Sequence, residues 1–145
     1  MASAGVSGLF YFTNGGLSLN GQAAVTSGSG GNLLFFNDNG GLSSTHQDPL
    51  TLNPMTTGTW AGFTVFQNRS NTSNDTLTGQ TAGGLAITGI IYTPAATFTL
   101  TGAGSNYAAG SQYIVYKMSV TASGEFNITY DAPPDPPGRQ LYLVE

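Results

Sequence analysis

One short phrase recurs along the chain: two or three apolar residues close on an aromatic ring, and small polar residues follow. It reads LFYF closing on Phe12, LLFF on Phe36, FTVF on Phe66, GIIY on Tyr92 and YIVY on Tyr116. The closing rings lie 24, 30, 26 and 24 residues apart. A unit of that length cannot bury its apolar side alone and must stack on its neighbours. Val, Ile, Phe, Tyr and Thr favour strands, and Gly interrupts nearly every helical window. The expected fold is therefore all-β: a right-handed parallel β-helix, or β-solenoid, of about five coils. The rings at 12, 36, 66, 92 and 116 are expected on one inner wall.

A second echo follows the first: LSLNG (17–21), LTLNP (50–54), DTLTG (75–79), FTLTG (98–102) and MSVTA (118–122). Apolar residues alternating with Thr, Ser and Asn fit a strand with one buried face. Residues 42–59 read as a polar loop inserted at a corner, interrupted by Leu50–Leu52. Residues 68–75, NRSNTSND, read as an exposed loop. The alternative is an antiparallel β-sandwich or jelly roll. Long, uneven links favour the solenoid, since two-residue hairpins are not the dominant signal.

At 145 residues one domain is expected: residues 1–130 as the solenoid with a short lead-in, then 131–145 as spacer and terminal strand. The spacer DAPPDPPGRQ is stiff with proline and has no room for a regular strand. LYLVE then closes the chain. Only 7% of residues are charged, and the net charge is -4. Arg69, Lys117 and Arg139 are the only cations, too few and too scattered for a nucleic-acid footprint or an anionic membrane surface. No cysteine exists to form a disulfide or a thiolate metal site. No 18-residue apolar run exists, so membrane insertion is not expected. The start, MASAGVSGLFYF, lacks a basic region followed by a long apolar core, as expected of a mature or excised domain or of one exported by a segment outside this sequence.

Candidate chemistry is sparse. His46, the only histidine, stands near Asp48 in THQDP, where a solvated loop residue is the simpler reading than a base beside an acid. Seven carboxylates are scattered over different loops, whereas glycosidases need two on one face; Asp38 and Asp75 follow equivalent strands. Thr97, Thr99 and Thr101 form a hydroxyl row of the kind ice-binding solenoids use. They are not seen to repeat in every coil, so strand propensity explains them. Asn68, Asn71, Asn74 and Asn127 open glycosylation-type sequons that arise by chance in so Asn-, Ser- and Thr-rich a chain. Trp60 beside Phe63 could stack on a sugar ring or pack a corner. No catalytic residue, cofactor or metal site is expected.

WAGFTVFQNRSNT (60–72), GIIYTPAATFTLTG (89–102) and MSVTASGEFNITYD (118–131) resemble a repeat region of bacterial envelope proteins associated with Tad-type pilus assembly. The same phrases occur in related parallel β-helix surface proteins. The resemblance covers about half the chain. It implies a β-helix in an extracellular or cell-surface setting and no catalytic residues.

The expected function is non-enzymatic: a structural subunit that stacks head to tail into a filament or surface appendage. The expected interface is the lead-in Met1–Gly8 with Leu9, Phe10 and Phe12 at one end, and Leu141, Tyr142, Leu143 and Val144 at the other. The alternative is an adhesin or carbohydrate-binding module that meets a surface glycan through Trp60, Asn68, Arg69 and Asn71.

Overall fold

The computed structural model describes residues 8–21, 25–27, 32–46, 50–79, 85–102, 107–122 and 126–128. Among them the chain forms strands and no helix. In order these are β1 (Gly8–Phe12), β2 (Leu17–Gly21), β3 (Val25–Thr26), β4 (Leu33–Asn37), β5 (Leu42–His46) and β6 (Leu50–Leu52). Then come β7 (Phe63–Gln67), β8 (Asp75–Gly79), β9 (Leu85–Gly102), β10 (Tyr107–Ala122) and β11 (Phe126–Ile128). Every pairing among the described strands is parallel. An antiparallel sandwich is thus excluded for these residues, and the fold is all-β and consistent with a β-solenoid.

The pairings sort into three ladders. The first stacks β1, β4, β7, residues 90–92 of β9 and residues 112–114 of β10. The second stacks β2, β5, β8, residues 98–102 of β9 and 118–122 of β10. The third stacks β3, β6, residues 85–87 of β9, then 108–109 of β10, with β11 beyond. The chain visits the ladders in that order and returns one level along. β9 and β10 cross corners without leaving the strand; β9 bends at Gly89, whose φ of 91° suits a residue without Cβ.

Alternation decides what each ladder buries. In β8 Leu77 points inward while Thr76 and Thr78 point out; in β9 Phe98 and Leu100 point inward while Thr99 and Thr101 point out. The core gathers Phe35, Val65 and Ile91 from the first ladder, Leu42, Leu77, Phe98 and Leu100 from the second, and Leu50, Leu52, Leu85 and Ile87 from the third. Each fully buried Leu, Ile or Phe contributes about 1.5–3 kcal/mol of transfer free energy.

Three sequence expectations are corrected. The aromatic wall is not inward and not in the expected register. The paired positions are Tyr11, Phe36, Phe66, Tyr92 and Ile114. The inner positions are one residue earlier, at Phe35, Val65 and Ile91, so the closing rings face outward. Phe12 instead packs against the core, and Tyr116 is 77% exposed. Second, LTLNP is no echo of LSLNG, because Leu50–Leu52 belongs to the third ladder. Third, residues 42–46 are not loop. Leu42–His46 pairs with β2 on one side and β8 on the other, burying Leu42 and Ser44. LSSTH has a weak apolar signal, and its neighbours supply the strand. The expected lead-in at 1–7 and the interface residues Leu141, Tyr142, Leu143 and Val144 lie outside the described residues.

Candidate functional sites on the ends and outer faces

The outer side of the first ladder carries a stack of rings. Tyr11 and Phe36 lie 4.8 Å apart, Phe36 and Phe66 5.0 Å, Phe66 and Tyr92 4.8 Å, all near parallel. Parallel in-register strands force this spacing, since neighbouring chains lie about 4.8 Å apart. Trp60, in the turn before β7, sets its ring edge-on against Phe36, Phe63 and Phe66 at 5.5, 6.2 and 4.9 Å. A stacked ring has its faces covered by its neighbours, so this surface offers edges rather than platforms. The corner-packing reading of Trp60 therefore fits this geometry. Trp60 is half-buried, so Trp60→Ala is expected to cost about 2 kcal/mol, below the 3–5 kcal/mol of a fully buried aromatic. Urea unfolding measures it.

The loop at 68–74 braces the corner. Asn68 donates its side-chain amide to Asp38 Oδ1 at 2.7 Å, and its Oδ1 accepts from the Ser70 backbone and hydroxyl. Arg69 Nε donates to the Tyr92 hydroxyl at 2.8 Å, tying the loop to the ring stack. Asn71 is buried; its Nδ2 donates to Gly40 O and its Oδ1 accepts from Ser73 N–H. Gln67, fully buried, donates Nε2 to Asn71 O and Ser73 O. The Asn68 and Asn71 amides are thus engaged inside the protein, which leaves neither sequon presented as a free side chain.

Two aspartates sit in unlike settings. Asp38 is bound by Asn68 on the outside of its turn. Asp75 is fully buried at the start of β8, where Oδ1 accepts from Leu42 N–H at 2.6 Å and Oδ2 has no partner among the described residues. Burial lifts its pKa from 3.8 to about 7, against the lowering effect of the Leu42 hydrogen bond. The neighbouring Asn74 accepts from Thr97 N–H, so the pair stitches one level below and one above. Each carboxylate is committed to a separate structural partner. The His46 backbone pairs with Gly21 and Gly79 at the end of β5, while Asp48 lies outside the described residues. Among the described residues no three His, Cys, Asp or Glu side chains group as metal ligands.

The outer side of the second ladder has a different chemistry, of which the sequence showed only the row Thr97, Thr99 and Thr101. Ser18, Ser43, Thr76, Thr99 and Ser119 are paired in one column. Asn20, Thr45, Thr78, Thr101 and Thr121 are paired in the next. Every level contributes to both columns. This corrects the expectation that the hydroxyls do not repeat in every coil, which arose because SST of β5 lies in a segment read as loop.

Among the described residues the ladders stop at two ends. There β1, β2 and β3 each pair on one side, with β4, β5 and β6, and at the far end residues 112–122 of β10 pair with β9 alone. Among the described residues, the large apolar side chains that stand exposed all lie on these strands: Leu9, Phe10 and Tyr11 on β1, and Ile114, Tyr116 and Val120 on β10. Of the expected interface residues, Leu9 and Phe10 are exposed, Gly8 is half-exposed, and Phe12 turns toward the core.

No family model, no curated protein and no solved structure matches this chain.

Proposed function

We propose that the chain is a non-enzymatic structural subunit, a right-handed β-solenoid of about five coils that stacks head to tail on copies of itself at or beyond a cell surface. The supporting observation is the coincidence, among the described residues, of strand edges without a partner strand and the exposed large apolar side chains at each end. An open parallel edge offers a row of backbone N–H and C=O groups to another chain, and natural sheets blunt such edges with charge, proline or a cover. β1 carries no charged residue, and Lys117 is the one charge on β10. Contact between unlike ends does not close on itself, so repetition gives a filament. A glycan-binding role draws less support, because the Trp60 ring is held in edge contacts with three other rings.

Leu9→Lys with Tyr116→Lys places a cation at each end without touching the core. The wild-type protein is expected to give end-to-end rods in negative-stain images and a mass that rises with concentration in light scattering. The double variant is expected to stay monomeric with an unchanged unfolding midpoint. A wild-type protein that is monomeric at every concentration, its ends covered by its own terminal residues, overturns the proposal. So does a double variant that assembles as before.

A further inference from the structure

The hydroxyl-bearing face of the second ladder has three properties that act together. Its pairing runs from β2 through β5, β8 and β9 to β10 with no register shift in this part of the ladder. All ten outward positions are Ser, Thr or Asn, with no charge and no ring. The side chains also brace one another: Ser43 Oγ donates to Ser18 Oγ at 3.2 Å and Thr45 Oγ1 to Asn20 Oδ1 at 2.6 Å.

The axial repeat of this molecule is visible in its ring stack, at 4.8 to 5.0 Å. In hydrogen-bonded water the oxygens lie about 2.75 Å apart, so tetrahedral geometry puts second neighbours at about 4.5 Å. The positions along each column repeat at the strand spacing of about 4.8 Å, within a few tenths of an ångström of that lattice distance, while at the β2 end Ser18–Ser43 and Asn20–Thr45 draw together to 3.2 and 2.6 Å. Threonine adds a methyl beside each hydroxyl, which limits how adjacent water can turn. Its β-branch also restricts χ1, so little side-chain freedom is lost on binding.

Other occupants fit less well. Five strands at about 4.8 Å and two columns of side chains span roughly 250 Å², well short of the ~800 Å² per partner of a stable protein interface. Recognition of a sugar ring uses an aromatic platform, and this face has none. An ionic ligand would meet a single charge, Lys117 beside the face on β10.

We infer that this face is an ice-binding surface, whose ligand is the ordered water of a growing crystal. The inference does not rest on the filament reading, because the array is complete within one chain; stacking would lengthen it.

The test uses purified wild-type protein, the double variant Thr78→Lys/Thr101→Lys and the control Gln112→Lys on the exposed surface of the first ladder. Each is partitioned into slowly grown polycrystalline ice and scored for inhibition of ice recrystallisation. Each is also sedimented with crystalline cellulose and chitin. Wild type and Gln112→Lys are expected to enter the ice, and the double variant to enter about tenfold less, a change of about 1.4 kcal/mol, with the same circular dichroism and unfolding midpoint. Exclusion of the wild-type protein from ice overturns the inference, as does a folded double variant that partitions like wild type. Binding to cellulose or chitin without ice incorporation overturns it in favour of a polysaccharide surface. Running the same assays on Leu9→Lys/Tyr116→Lys separates this face from end-to-end assembly.

Discussion

Asp75→Asn is expected to remove a fall in stability that the wild-type protein shows between about pH 4 and pH 7. The folded protein holds the Asp75 carboxyl at about 7 because it is buried, while the unfolded chain ionises it near 3.8. A pKa raised by folding stabilises the protein fully below the unfolded value, and that stability is lost as pH rises through the folded value. Across this window the folded state binds one more proton than the unfolded state. At 1.36 kcal/mol per pKa unit, the roughly 3-unit difference amounts to about 4 kcal/mol by pH 8. Asparagine keeps an oxygen for the Leu42 N–H, has nearly the same shape, and carries no charge at any pH. Wild type and variant should therefore unfold at similar urea concentrations at pH 4, and the variant should be the more stable by several kcal/mol at pH 8. Equal slopes of stability against pH in the two proteins would show that Asp75 is not the buried acid responsible.

Gly40→Ala is the second large effect. Gly40 sits where the chain turns from the first ladder to the second, with φ of 115°, a conformation side-chain-bearing residues rarely adopt. A Cβ there would also overlap the backbone of Gly15 and Gly16, the equivalent turn one level down. Gly41 lies as tightly against Asn74 O on the level above, so the turn is confined from both sides. Backbone cannot move aside without breaking the stacking, so the expected loss is about 3 kcal/mol or more. Gly58→Ala is the matched comparison: φ is 80°, but nothing lies within 4 Å of its Cβ. It should show the conformational cost alone, about 1–2 kcal/mol. Thermal unfolding of the two variants separates close stacking from backbone preference. If Gly40→Ala loses no more than Gly58→Ala, the packing argument fails.

The architecture was partly legible because strand alternation is local. TLT of β8 and TFTLT of β9 mark their buried and outward positions by residue type alone, and the structure keeps those assignments, whereas in FTVFQ Thr64 and Gln67 are buried and Phe66 faces out. The partner of each strand was not legible, because links of 20 to 30 residues leave pairing to the stacking of whole levels. LSSTH of β5 reads as loop until Ser18 lies on one side of it and Thr76 on the other. Tyr116 reads as the next ring after Tyr92, yet the chain shortens its circuit there and Ile114 takes the place.

The sequence by itself determined that the chain makes short strands with one apolar side, that charge and cysteine contribute little, and that glycine marks the corners. Tertiary stacking decided which side chains share a column: rings outward on one face, hydroxyls outward on another, and Asp75 inside. The reason is the two-residue period of a strand. A register displaced by one residue exchanges the inner and outer sets, and only burial summed over neighbouring levels can choose between them.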